Sequence, residues 1–217
     1  MIFSTQESEW LIPWFLLNLR RHHSDLPVVL FETDLSTEVL ASVEAFEVQI
    51  RKYDPSHQFP HPWYHKPFVL QRSPFTQTVF LDLDCEIRTP IPELFQWCDK
   101  GIVLGRDLHP MRQYRKLFRN DFFFNSGVIG VQSGNPVIEL WCDATRKLFT
   151  DLRSDQEILN LTLVDHEIPV VVLPDHYHQL RLDGDHSSAR VMHWTGPAGK
   201  EVIRGLITAE IRKPISA

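Results

Sequence analysis

The stretch VFLDLDCEI, residues 79–87, ends an apolar run on two carboxylates, Asp82 and Asp84. On extended backbone side chains alternate with period two, so both acids share one side of the chain. Like charges that close repel unless a proton or a cation lies between them. A divalent ion answers the repulsion, and oxygen ligands select Mn²⁺ or Mg²⁺. Acids also end strands as plain turn formers. The apolar lead-in Val79-Phe80-Leu81 shifts the balance toward a site, because ligands of open α/β sheets bind beyond the carboxyl ends of the strands.

Two chemistries then compete. In one, the pair holds a metal that bridges the two phosphates of a nucleotide-sugar. In the other, Asp82 is a nucleophile forming an aspartyl-phosphate and Asp84 an acid, as in haloacid dehalogenase-like phosphohydrolases. Such a phosphatase places this strand near its N-terminus and needs a lysine and a second acidic pair on later strands. Here a long α/β stretch precedes the motif, and the candidate second pair, Asp183-Gly184-Asp185, has no apolar strand before it. The stretch ARVMHWTGPAGK adds chemistry of the first kind. His193 ends a strand-like run, and a neutral imidazole is a good third ligand for Mn²⁺. Gly196 and Gly199 let backbone approach an anion, and Lys200 offers a point charge to a phosphate. The series His57, His61, His65 has helical metal-site spacing, but Pro60 and Pro62 break the helix it requires.

The elements that must position these residues alternate between strand and helix. MIFST and PVVLFETD read as strands, each followed by a helix, SEWLIPWFLLNLRRHH and LSTEVLASVEAF, the second capped by Ser36. The proline-rich YDPSHQFPHPWYHKPF is a loop leading into a short helix. TVFLDLDCEI, IVLGRD and FFFNSGVIGVQ read as strands, with HPMRQYRKLFRN as a basic connection. PVIELWCDATRKLF is a helix opened by Pro136, and SDQEILNLTLV another, with Ser154 and Glu157 spaced as a capping box. IPVVVLP and RVMHW are late strands, and PDHYHQL, carrying His176 and His178, is a loop. The order predicts an α/β layered sheet.

Composition bounds the rest. The 217 residues with 43% hydrophobic content suit one domain with one sizeable core. A formal charge of -6, with no basic block, excludes a nucleic-acid surface and means that an anionic ligand must be held locally. Three dispersed cysteines, Cys85, Cys98 and Cys142, argue against a disulfide framework and for a reducing compartment. No run approaches a membrane span or a leader, so a soluble, cytoplasmic chain with no transmembrane segment is expected, in which the Asn160 triplet N-L-T carries no weight as a glycosylation site.

Strand, D-x-D, FFFNSGVIGV, SDQEILN and HWTGPAGK occur in an order that resembles GT-A fold nucleotide-sugar glycosyltransferases, most closely glycosyltransferase family 8. The resemblance runs from MIFST to Lys200. It implies one glycosyltransferase domain, 1–217, with a Rossmann-like mixed sheet flanked by helices. Residues 1–88 would form a nucleotide-binding half ending in D-x-D, and 89–217 a sugar and acceptor half. It implies transfer of a hexose from a nucleotide-sugar, UDP-linked, to an unknown carbohydrate, lipid-linked or protein acceptor, with retention and with Mn²⁺ or Mg²⁺ as cofactor. Asp82, Asp84 and His193 would hold the metal, with Asp82 also near the donor sugar and ribose. Gly196 and Lys200 would contact the diphosphate, although Lys200 lies one residue later than the family's H-x-x-G-x-x-K places it, and Glu201-Val202 replaces the Pro-Trp that follows. Asn125, Asp155 and Gln156 would reach the donor sugar. Asn-Ser-Gly is also a turn sequence, but the apolar residues around it favour an interrupted strand with a bulge; Asp155 would be favoured in a first helical turn by the dipole alone. Lys66 falls where the fold often has a basic residue touching the donor. Thr5 and Gln6 end the first strand where uracil would dock, and Trp10 is placed either to stack on its ring or to pack as core. Loops at 107–121 and 175–189 would meet the acceptor, and the basic stretch RQYRKLFR in the first would meet an anionic acceptor or lie over the donor as a lid. A non-catalytic nucleotide-binding module on the same fold is the rival from another class.

Overall fold

The computed structural model describes residues 1–55, 57–107 and 123–211. The basic stretch RQYRKLFR expected to meet an acceptor or cover the donor lies outside the described residues. Strand β1 (Ile2–Thr5) leads through a 3₁₀ turn, Gln6–Leu11, into α1 (Ile12–His22). β2 (Val28–Thr33), α2 (Thr37–Glu44) and β3 (Val48–Lys52) follow. After a 3₁₀ turn at Pro62–His65 come α3 (Lys66–Gln71), β4 (Gln77–Leu81), β5 (Cys85–Ile87) and α4 (Glu93–Trp97). The second half holds β6 (Ile102–Arg106), β7 (Phe124–Gln132), α5 (Pro136–Leu148), α6 (Asp155–Asp165), β8 (Val170–Val172), β9 (Gln179–Leu180), β10 (Val191–His193) and α7 (Gly196–Ile211).

Strands β1, β2 and β3 pair in parallel, and β4, β7, β6 and β8 form a mixed sheet in that order. The two are joined at one seam, where Leu81 N–H donates to the Met1 carbonyl at 3.1 Å and the Met1 nitrogen to Val79 O at 2.7 Å. Period-two alternation divides the apolar residues between two cores. Val28, Leu30, Val79, Leu81 and Val103 face one side, with α1 and α4 over them. Val29, Phe31, Phe80, Ile102, Leu104 and Ile129 face the other, under α3, α5 and α6. A strand buried on both faces reads as a continuous apolar run, which is why PVVLFETD shows no alternation. A third small sheet, β5-β10-β9, stands off the end of β4.

The caps read from sequence are present. Ser36 Oγ accepts from Val39 N–H, and Ser154 Oγ from Glu157 N–H at 3.2 Å, while Glu157 reaches back one residue further than a capping box, to Arg153 N–H at 3.0 Å. Asn160 is buried in the sheet contact, its amide bonding both polar groups of Phe124 at 2.8 Å, so its side chain is a structural clamp. β3, α4, β9 and α7 were not expected. β9 lies inside PDHYHQL, and α7 continues past Lys200, so HWTGPAGK leads into a helix. The three cysteines are buried and unbridged, and no helix of the described residues is long and apolar enough to cross a membrane.

His65 has a structural place. It is buried against Phe3, Tyr53 and Phe59, with Tyr53 Oη 3.3 Å from Nδ1. Burial lowers its pKa from 6.5 to about 4. Between those values the unfolded chain holds a proton that the folded chain refuses, so stability rises with pH across the window and is lost as pH falls through it. After allowance for solvent screening, the loss is expected to be about 1–2 kcal/mol. Urea titrations of His65→Phe across the window should show a shallower pH slope than the wild type; equal slopes would mean that His65 is not the group responsible.

Candidate functional site

The carboxyl ends of β1, β4 and β6, the start of β7 and the first turn of α6 open on one cleft of about 630 Å³. Thr5, Lys66, Asp82, Asp84, Asn125, Asp155, Gln156, His193 and Lys200 all line it. These are nine of the expected residues, drawn from segments spread over most of the chain.

The D-x-D is not on one extended strand. β4 stops at Leu81, Asp82 to Asp84 form a turn closed by Cys85 N–H on Asp82 O at 3.0 Å, and β5 starts at Cys85. The reason is a change of partner: β4 pairs with β7, whereas β5 leaves to pair with β10. Leu83 is buried in the core, so the two acids flank an anchored residue and both reach the cleft. Their common side survives, but it comes from the turn and not from a pleat. Pairing of β5 with β10 sets His193 opposite Cys85, and Trp194 N–H donates to Asp84 O at 2.9 Å, which brings the late histidine to the early acids.

Asn125-Ser126-Gly127 lies at a register shift of β7 against β6, where Leu104 pairs with Ile129 but Gly105 with Asn125. This is the expected bulge. Asn125 Oδ1 accepts from Gly127 N–H at 2.8 Å, which leaves its amide NH₂ as the group available to a ligand. Gly127 O accepts from Asp82 N–H at 2.8 Å. A Cβ on Gly127 would lie 2.1 Å from His193 Cε1, so glycine here clears the imidazole.

Ser126 belongs to a network centred on Lys66, whose Nζ donates to Asp82 Oδ2 at 3.1 Å, Ser126 O at 2.9 Å and Ser126 Oγ at 3.2 Å. Nζ also lies 3.0 Å from Asp82 Oδ1 and 3.1 Å from Asp155 Oδ2. Ser126 Oγ donates to Asp155 Oδ2 at 2.9 Å. Burial works against the charge on Lys66, but Asp155 and then Asp82 outweigh it and hold the ammonium above its ordinary range. Burial raises the Asp82 carboxyl despite Lys66, with Asp84 adding to the rise. Gln156 Nε2 donates to Asp107 Oδ2 at 2.9 Å, and its Oε1 accepts from Ser126 N–H at 3.4 Å, so the amide is oriented from both ends.

His193 Nε2 is 3.1 Å from Asp84 Oδ1 and 3.9 Å from Asp82 Oδ2. Burial opposes a charge on His193, but Asp84 and Asp82 outweigh it and raise its pKa; Asp84 is lowered, since His193 and then Lys200 overcome its own desolvation. Ligand atoms of Asp84, Cys85 and His193 lie within 4.8 Å of one another. Asp82 stands outside this group, with Oδ2 3.9 Å from His193 Nε2, but a carboxylate has enough lone pairs for it to serve both a cation and Lys66, and two carboxylates with one imidazole are a donor set that fits an oxygen-preferring cation. Burial pushes the Cys85 thiol well up, and a thiol is a poor ligand for hard cations.

Three expected residues are not on the cleft wall. Gln6 lines a neighbouring cavity with Thr33, Asp34 and Lys52. The Trp10 ring packs against the core with the Arg204 guanidinium 4.6 Å from its centre, which is the core alternative and not the stacking one. Gly196 has φ +73° and opens α7, so its glycine is required by the turn. Of these two glycines, it is Gly199 that permits close approach: a Cβ there would lie 2.0 Å from Trp194 O. Sequence reading missed Ser126, Asp107 and Trp63. Trp63 stands at the cleft, 41% exposed and stacked on His61 at 4.2 Å; an exposed Trp beside Pro62 in the loop was the available signal.

No family model and no curated protein matches the sequence. Solved structures do match. A galactosyltransferase, LgtC, solved in complex with donor and acceptor sugar analogues, superposes with a TM-score of 0.71 at 15% identity, over 96% of this chain and 94% of that one. The glycosyltransferase GlyE of Streptococcus pneumoniae gives 0.69 at 14%, over all of this chain and 64% of its own length. Mouse xyloside xylosyltransferase 1 gives 0.57 at 16%, over 88% and 95%. With strand ends, a turn-borne D-x-D and a bulged strand disposed around one cleft, the chain has the GT-A fold of the glycosyltransferases it superposes on.

Proposed function

We propose that the chain is a metal-dependent glycosyltransferase that moves a hexose from a UDP-sugar to an acceptor with retention. The observation that carries the reading is the convergence of Asp82, Asp84, His193, Lys66, Asn125, Asp155, Gln156 and Lys200 on one cleft. Asp82, Asp84 and His193 would hold Mn²⁺ or Mg²⁺, which when bound acts as a Lewis acid on the diphosphate. Lys200, at the cleft wall in the first turns of α7, adds fixed positive charge where the leaving group gains negative charge. Thr5 marks the nucleotide end, with Gln6 in the cavity beside it. Asn125 presents its NH₂ and Gln156 its oriented amide to the sugar hydroxyls. Asp155 is occupied by Lys66 and Ser126, which suits positioning better than nucleophilic attack. No strong base is needed if the departing phosphate oxygen takes the acceptor's proton.

The phosphohydrolase alternative is disfavoured. The lysine in contact with Asp82, Lys66, precedes it in the chain and does not lie on a later strand, and Asp183 and Asp185 do not line the cleft. The test is nucleotide release from a panel of UDP- and GDP-sugars with and without Mn²⁺. Mn²⁺-dependent release from a UDP-sugar is expected. Phosphate release from p-nitrophenyl phosphate that depends on Asp82, with no nucleotide release from any sugar donor, would replace the reading with the phosphatase.

A further inference from the structure

His178, in a segment expected to be a loop, lies directly before β9, which runs parallel to β10 and its His193. The two imidazoles are stacked, with centroids 5.3 Å apart and planes 19° apart, and His178 Nε2 is 3.0 Å from His193 Nδ1. Both are buried, with exposures of 3% and 5%. Glycines make room for both rings. A Cβ on Gly105 would lie 2.4 Å from His178 Nδ1, as one on Gly127 would meet His193. Neither glycine has a positive φ, so these positions require clearance and not a special backbone.

His178 Nδ1 is buried with no hydrogen-bond partner among the described residues. A buried histidine with a purely structural role is normally tied at its polar atoms; this one is tied at the nitrogen facing His193. A neutral imidazole has one donor and one acceptor nitrogen. For His193 Nε2 to offer its lone pair to a cation beside Asp84, its proton must sit on Nδ1, and that N–H needs an acceptor. His178 Nε2 is in place to be it. When His193 Nε2–H instead donates to Asp84, Nδ1 accepts and His178 Nε2–H donates. Because no described residue holds the far nitrogen of His178, its tautomer can follow that of His193.

We propose that His178 is a positioning residue that sets the His193 tautomer competent for a divalent cation, an inference that rests on the cation site proposed above. Its test is Mn²⁺ affinity of the full chain, by calorimetry and by electron paramagnetic resonance. His178→Phe fills the same clearance with a ring lacking an acceptor and should weaken Mn²⁺ binding by about 10–100-fold. His178→Gln, whose carbonyl oxygen reaches the Nε2 position, should restore most of the affinity; His178→Leu replaces the Phe variant if that does not fold. A role in packing alone would not separate Gln from the acceptor-free variants at matched thermal stability. Wild-type affinity in His178→Phe, or equal loss in His178→Gln, would overturn the proposal while leaving the cation site standing. No Mn²⁺ binding by the wild type would remove both.

Discussion

Lys66→Met is expected to cost about 3 kcal/mol of folding stability, because removing one partner of a buried ion pair leaves the other charge uncompensated. The side chains of Lys66 and Asp155 are 6% and 7% exposed, whereas Asp82 is 27% exposed and regains some water. The loss therefore belongs at the low end for buried pairs. Ser126 loses the donor to its carbonyl at 2.9 Å in the same step, so the bulge that carries Asn125 should loosen. Urea unfolding near neutral pH measures the loss. The deficit should narrow as the pH enters the carboxylate range, since a protonated carboxyl no longer needs the ammonium. Wild-type stability in this variant would mean that the acids are hydrated and that Lys66 is not the centre of the network.

Asp84→Asn should act in the opposite pattern, with a small effect on folding and a large one on chemistry. Asparagine keeps an oxygen that can accept from His193, so stability should stay within about 1 kcal/mol. The lost negative charge removes one of the two anionic oxygens facing His193, and metal-dependent nucleotide release should fall by about 10²–10³-fold, the scale of losing one preorganised electrostatic contact in a cleft. A Mn²⁺ titration of release rates separates weaker metal binding from a slower step at saturation. Unchanged release and unchanged Mn²⁺ affinity would sink the metal-dependent transferase reading.

Why one substitution strikes folding and the other chemistry is not visible in VFLDLDCEI, where the two acids look equivalent. Asp82 faces Lys66, sixteen residues earlier, and Asp84 faces His193 on a later strand. Sequence pattern located the pair at the end of β4 because burial on both faces leaves an unbroken apolar run with nowhere to place a charge until it ends. It also located the Asn125 bulge, since glycine and asparagine interrupt an apolar strand only where backbone geometry changes. Ser36, Ser154 and Pro136 marked helix starts through local hydrogen bonding, which acts within a few residues. All of these are short-range effects, and the order of strands and helices follows from them.

What required the tertiary structure depends on partners distant in the chain. The D-x-D is a turn because β4 and β5 pair with different strands. Trp10 had two environments compatible with its amphipathic helix, and Arg204, almost two hundred residues later, packs on its ring. His178 looked like one of 11 histidines in a polar segment. Its significance rests on clearances at Gly105 and Gly127 that exist only when β6, β7 and β10 are side by side. Local sequence sets backbone conformation through short-range sterics and hydrogen bonds. Which side chains share a proton or a charge is set by strand pairing across the whole chain, and on that pairing the two acids of VFLDLDCEI become different residues.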